Sequence, residues 1–257
     1  MFRSLAFKIA LPAIVLVVVA GAGWWFFIRE DNREQTDAAA ITDEVRQAAL
    51  STPTAATTGA ATAPASTVAP AAAAGAASTI RGEAYRLVPG QSEAWYLAPE
   101  KLARLPTSSV AKGTTREVTG EVHITDAGLD PAQPTTFTVN VRSLKSDESM
   151  RDARVATALE STRFPTATFT ATSLSGLPAA FGPQDSTMQL GGTLELHGVK
   201  KEVTWEVKAK QEGDVISVLA TVKFRYSDFN ITKPNIAGFV TVEDEVTIQV
   251  QLFLARA

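Results

Sequence analysis

The chain has 257 residues, 45% of them hydrophobic and 20% charged, with a formal net charge of −3. Residues 81–257 carry 19 Lys/Arg against 21 Asp/Glu, which excludes the basic excess of a nucleic-acid surface. With no cysteine anywhere, disulfides, thiolate metal sites and cysteine nucleophiles are excluded together.

The first element is an uncharged run of 20 residues, Ile9 to Ile28. At about 1.5 Å per residue it can cross a hydrocarbon core of roughly 30 Å. Arg3 and Lys8 precede it, Trp24 and Trp25 lie near its far end, and Arg29 stops it. Ala20-Gly21-Ala22 resembles a signal-cleavage site, but six more uncharged residues follow it, whereas a cleaved signal usually has an apolar stretch of about 7–15 residues. An uncleaved transmembrane helix over 9–28 is therefore expected. Two basic residues stand before it and two just after, Arg29 and Arg33, so the free amino terminus decides the orientation. Residues 1–8 are expected in the cytoplasm, and the rest of this single-pass cell-membrane protein is expected outside it.

Residues 29–79 read as a linker. Ile41, Val45 and Ala49 would share one helical stripe, but two isolated turns are marginal. Residues 51–78 hold 13 Ala and 6 Thr with no charge and lack the large side chains that would offset the entropy of folding. As a flexible tether these 28 residues would span on the order of 30 Å.

From Ile80 onward the dominant period is two. Phe137, Val139 and Val141 alternate with Thr136, Thr138 and Asn140. Val203, Trp205, Val207 and Ala209 alternate with polar partners, and Ile216, Val218, Ala220, Val222 and Phe224 alternate with Ser217, Leu219, Thr221, Lys223 and Arg225. Val246, Ile248, Val250, Leu252 and Leu254 do so against Thr247, Gln249 and Gln251. This is the pattern of antiparallel strands with one apolar and one wet face. Glu212-Gly213 marks a hairpin between two of them. One segment departs from the pattern: Ser149 and Asp152 suggest a capping box, and Val155 and Leu159 share a helical face, so a short helix is expected over 150–160. Phe164-Pro165 ends it.

Several runs last 9–12 residues, well beyond the usual five or six. About eight such strands, with one short helix to cover them, hide their apolar face most simply by closing into a barrel. Gly191-Gly192 suits the bulge or bend that closure needs. In the run Thr166 to Thr172, Thr alternates with Ala167, Phe169 and Ala171, so small residues flank a large one on the inner face. Periodicity alone does not distinguish a filled barrel from a hollow one.

Catalytic signals are absent from this pattern. The two histidines, His123 and His197, have no metal-binding spacing between them and read as a strand residue and a strand-end residue. Glu243, Asp244 and Glu245 are consecutive on a strand and point to alternate faces. No Gly-rich loop leads into a helix, and no Gly-x-Ser-x-Gly elbow occurs. A non-enzymatic protein with no cofactor, no metal and no catalytic residue is expected.

Four stretches carry a family resemblance. They are Arg151-Asp152 at the helix start, Phe164-Pro165-Thr166-Ala167-Thr168-Phe169, Gly192-Thr193-Leu194-Glu195-Leu196-His197-Gly198-Val199, and Tyr226-Ser227-Asp228-Phe229-Asn230-Ile231. In order and spacing they resemble the YceI family, with Glu195, Tyr226 and Asn230 departing from its usual residues. The resemblance implies an extended, eight-stranded antiparallel lipocalin-like barrel over 80–257 that encloses a polyisoprenoid or other long-chain lipid. The expected lining residues are Trp95, Phe137, Val139, Phe169, Trp205, Val207, Val218 and Phe224, each apolar and near a strand centre. The expected partners are a long-chain lipid or isoprenoid and the membrane through residues 9–28. A homodimer is compatible with the sequence, and a filled barrel serving as an envelope interaction module is the alternative.

Overall fold

A computed structural model describes residues 34–51, 83–102, 108–125, 128–236 and 240–256. The expected transmembrane span 9–28 and the Ala/Thr-rich stretch 52–79 lie outside the described residues. Among the described residues no helix is long and apolar enough to cross a membrane.

The strands, in chain order, are β1 (Glu83–Leu87), β2 (Glu93–Leu102), β3 (Ser108–Thr115), β4 (Val118–Thr125), β5 (Gly128–Leu129), β6 (Thr136–Asn140), β7 (Lys145–Ser146), β8 (Thr166–Ser175), β9 (Ser186–Leu196), β10 (Val199–Glu212), β11 (Val215–Arg225), β12 (Asn235–Ile236), β13 (Val240–Val242) and β14 (Glu245–Arg256). Among the described residues two α-helices accompany them, α1 (Asp43–Ser51) and α2 (Ser149–Ala158). Every pairing is antiparallel, in the order β1-β4-β6-β8-β9-β10-β11-β14, and β14 pairs back onto β1. The sheet therefore closes as an eight-stranded barrel in which chain neighbours are sheet neighbours.

Two of the eight walls are bent strands. Leu87 of β1 faces Leu254, and Leu97 of β2 faces Thr247, so β1 and β2 run in one direction along β14. Between them Val88 N–H still donates to Phe253 O at 2.8 Å. Across from this pair, β3 and β4 form a second bent wall, kinked at Arg116-Glu117.

Long uninterrupted alternation produces long strands. β10 has 14 residues and β14 has 12, and the pairs β9–β10 and β11–β14 stay in register along their whole length. The expected bend at Gly191-Gly192 is present, but the extra residue sits on the partner strand. Ala171 faces Gly192 and Ser173 faces Gly191, with the register shifting between them. Gly192 is needed because a Cβ there would stand 2.2 Å from Thr170 O and 2.8 Å from Phe169 Cζ. The hairpin after β10 centres on Gly213-Asp214, one residue later than expected, with Glu212 facing Val215 and Gly213 at φ +62°.

Helix α2 spans 149–158 rather than 150–160. Glu148, not Ser149, caps it, accepting from Met150 N–H at 3.2 Å. Asp152 instead accepts from Ser146 N–H at 2.8 Å and from its hydroxyl at 2.7 Å, tying the helix to β7. After β11, Tyr226–Phe229 makes one 3-10 turn closed by Asn230 at φ +53°, a left-handed position that Asn tolerates.

The linker boundary needs correction. Residues 34–51, assigned to the 29–79 linker from sequence, lie on the outer wall of the barrel. Ala38, Ile41 and Val45 are buried, the last two against Val88, Val215, Phe253 and Ala255. Two isolated helical turns are marginal in water, but the barrel supplies the apolar surface that α1 lacks by itself.

Candidate functional site

Inward residues from all eight walls surround a cavity of about 240 Å³. That is far more than the roughly 10–15 Å³ one water needs. The lining is almost wholly apolar. Met188 and Leu194 come from β9, Ile216 from β11, and Val246, Ile248 and Leu254 from β14. At one end Val155, Ala158 and Leu159, in and just after α2, complete the wall, and Leu177 and Phe181 do so beyond the far end of β8.

The cavity exists because small residues sit where a filled barrel would carry large ones. Ala167, Ala209 and Ala220 all face it. The large residues are held in place by one another. Phe169 meets Trp205 edge-on, with ring centroids 5.7 Å apart at 67°, and Phe224 meets Phe229 at 4.7 Å and 67°. Phe137 stands opposite Phe169 in the β6–β8 ladder.

Of the expected lining residues, the structure brings Phe137, Val139, Phe169, Trp205, Val207, Val218 and Phe224 together around this space. Trp95 is a correction. It borders the cavity, but its indole belongs to an outer cluster with Ala38, Leu97 and Leu219. There its Nε1 donates to Gln249 Oε1 at 3.2 Å, and Lys112 Nζ lies 5.2 Å above the ring. The cause is the run Ala94-Trp95-Tyr96-Leu97-Ala98, which has no alternation to read, so a one-residue error of phase exchanges the faces. Tyr96 is the inward residue, and the sequence reading missed it along with Tyr226 and Met188. A usable signal for Tyr96 was Gly113 on the facing strand, where a Cβ would come within 2.4 Å of the Tyr96 ring.

A few polar side chains interrupt the apolar wall. Trp205 Nε1 and Tyr96 Oη are buried and have no hydrogen-bond partner among the described residues. Buried donors are nearly always satisfied, so each has room for a further partner such as a ligand oxygen. Tyr96 lies at the α2 end beside Glu100, Tyr226 and Arg151. Burial pushes the Tyr96 phenol well above the ordinary tyrosine range, with Arg151 opposing. Burial likewise pushes Tyr226 up to about 12, so both hydroxyls stay protonated in any physiological condition. Glu100 is raised above the usual glutamate value by burial, with Arg151 pulling it back. Arg151 Nε stands 3.9 Å from Glu100 Oε1, and the guanidinium also pairs with Asp147. This bridge ties α2 to β2 across the barrel end.

His197 is more than an exposed strand end. It occupies the tight β9–β10 turn at φ +52°, its Nδ1 lies 3.0 Å from Phe229 O, its Nε2 lies 3.3 Å from Glu160 Oε1, and Phe164 packs edge-on at 5.1 Å. Gly198 beside it leaves room for the Phe164 ring, which a Cβ would approach to 2.6 Å. The sequence segments Phe164-Pro165 and His197-Gly198 thus meet as one structural plug. Among the described residues no group of three or more His, Asp or Glu side chains is placed to hold a metal ion.

Comparison with known proteins follows the same lines. The YceI-like domain profile matches residues 85–254. Protein YceI of Salmonella arizonae is 31% identical over 128 residues, which cover 47% of this chain and 62% of that protein. The chain thus spans less than two thirds of the length of the curated relatives it matches. A polyisoprenoid binding domain from Saccharophagus degradans, implicated in plant cell wall breakdown, aligns with a TM-score of 0.52 at 18% identity over 68% of this chain and 99% of its own. BcnA of Burkholderia cenocepacia aligns with a TM-score of 0.49 at 22% identity over 65% of this chain and 98% of its own.

Proposed function

The chain belongs to the YceI-like domain family, and from that premise we propose that it binds a long-chain isoprenoid or similar amphiphile inside the barrel, without catalysis, as a membrane-tethered protein outside the cytoplasm. The observation that carries this reading is the 240 Å³ apolar cavity whose wall holds two donors with no partner among the described residues. Each methylene moved from water into such a space stabilises the complex by about 0.8 kcal/mol. A tail of ten or more carbons therefore contributes several kcal/mol even after the cost of ordering it. Trp205 Nε1 and Tyr96 Oη then supply donors for an oxygen on the ligand, which a plain hydrocarbon would leave unsatisfied.

Binding without turnover is supported by the lining itself. Its titratable side chains are tyrosines, Tyr85, Tyr96 and Tyr226; burial pushes the Tyr96 phenol up and Tyr226 up to about 12, which makes these two poor general bases at neutral pH. Anchoring is supported by the 20-residue apolar run and by Arg3 and Lys8 ahead of it.

Organic extraction of the full chain purified from membranes, followed by mass spectrometry, tests the reading. One lipid at a reproducible stoichiometry near one per chain is expected. A clean extract from protein with a cooperative melting transition would overturn it.

A further inference from the structure

The strap of residues 34–51 does more than cover a wall. Its direction is fixed by its contacts. Glu34 Oε2 meets Lys223 Nζ at 3.0 Å, Gln35 exchanges two hydrogen bonds with the Gln249 amide, and Ala39 is held by Ser217 and Gln251. Ile41 and Val45 then pack on Val215, Phe253 and Ala255. In the β11–β14 register Lys223 faces Thr247 and Val215 faces Ala255. The strap therefore runs parallel to β14, and its leading residue points toward the start of that strand.

That end of the barrel is the one capped by α2. Arg151 of α2 reaches Glu100, which pairs with Val242 just ahead of β14. Glu160 and Phe164, just beyond the helix, pack on His197, whose ring meets Phe229 at the close of β11. Leu50, at the trailing end of the strap, stands at the opposite end, where Arg46 bridges to Glu212, the last residue of β10, at 2.7 Å.

Only five residues separate Ile28 from Glu34, a reach of at most about 20 Å. Were the barrel held only through Glu83, 54 residues would intervene and allow up to about 190 Å. Resting on the reading of 9–28 as a membrane anchor, we infer that the strap holds the barrel with its α2 end against the lipid bilayer, so that the cavity wall made by α2 is the one that faces the membrane. Met150, on the outer side of α2 and 61% exposed, is the large apolar side chain this arrangement presents to the lipid.

The absence of native cysteine allows a direct test. The full chain carrying Met150→Cys or Leu50→Cys is labelled with a fluorophore and reconstituted into phosphatidylcholine–phosphatidylglycerol vesicles containing a head-group nitroxide quencher. Quenching of the label at 150 is expected to exceed that at 50 several-fold. A 20-residue Gly/Ser insertion between Arg33 and Glu34, which leaves every strap contact in place, is expected to bring the two labels to similar values. The triple variant Ser217→Ala, Gln249→Ala, Gln251→Ala, which releases the strap, is expected to do the same. Equal quenching in the parent chain, or a difference that survives the insertion, overturns the orientation. Failure of the chain to float with the vesicles overturns the anchor reading and the orientation with it, so the two failures are told apart by flotation.

Discussion

Strand β14 buries both of its faces, and the two faces are finished in opposite ways. Inward, Val246, Ile248, Val250, Leu252 and Leu254 look onto open space. Outward, Gln249 and Gln251 are 0% and 5% exposed, yet nearly every donor and acceptor around them is used. Gln249 Oε1 accepts from Gln35 N–H at 2.9 Å and its Nε2 donates to Gln35 O at 2.7 Å, copying the two bonds of a strand pair. Gln251 Oε1 accepts from Ala39 N–H at 3.0 Å while Ser217 Oγ donates to Ala39 O at 2.7 Å. The outer face is closed, polar and satisfied. The inner face is apolar and loosely filled, and the space before it also receives Trp205 Nε1 and Tyr96 Oη, which have no partner among the described residues. Burial by itself does not mark a binding site, and the two faces differ in whether the chain supplies its own occupant.

The sharpest way to break this comparison is to place a charge on each face. Phe169→Arg puts a guanidinium into the lumen wall, where desolvation costs several kcal/mol. Lipid affinity should fall about a hundredfold or more, measured by lipid recovered per chain in the extract, with Phe169→Leu retaining it. Leu219→Arg, on the outer face and 2% exposed, should leave the lipid in place and instead open residues 34–51 to protease. If both charges act alike, the lumen is not a separate compartment.

Next in size is Gln249→Ala. It strips partners from Gln35 N–H and C=O, from Trp95 Nε1 and from Thr221, and should cost about 2–3 kcal/mol in urea unfolding, as unsatisfied buried groups do, without changing bound lipid. A third pair adds bulk. Ala38→Phe, beneath the strap at 3% exposure, should destabilise by about 1–3 kcal/mol, as overpacking does. Ala220→Phe faces the cavity and should be accepted within about 1 kcal/mol while lowering lipid occupancy, because the new ring takes space that was empty. Equal costs at the two positions would mean the lumen is as full as the strap interface.

Much of the inner face was legible in the sequence, for a physical reason. Where residues alternate strictly, as in β10, β11 and β14, side-chain direction follows from strand geometry. Phe224, Trp205 and Val218 were therefore placed correctly from pattern. Trp95 was not, because five consecutive apolar residues have no phase. The openness of the lumen was not legible either, since it depends on Ala167, Ala209 and Ala220 converging from separate strands. The strap was hidden by a different cause. Residues 34–51 are short and largely polar and gain stability only from the barrel. A faint signal was present on the host side, where the supposed wet faces of β11 and β14 carry Ser217, Leu219, Gln249, Gln251 and Phe253, a row without a single charge.

The smallest expected effect concerns the α2 end, where the two kinds of surface meet. Glu100 is buried there with its acid form favoured, mainly by desolvation and against the pull of Arg151. A carboxyl whose value in the fold lies above its unfolded value contributes stability at low pH and loses it as pH rises. Below the ordinary glutamate value both states hold the proton. Above it the unfolded chain ionises first, so stability falls until the folded chain ionises as well. Glu100→Gln removes this step, and its separation of 3.9 Å from Arg151 means little ion-pair energy is lost with it. Urea unfolding at pH 4 and pH 7 should show a smaller drop for Glu100→Gln than for the parent chain. Tyr226, held up to about 12, adds no slope in that window. An identical drop in both proteins would mean that Glu100 is solvated at the barrel end, and that α2 stands further from β2 than its bridge implies.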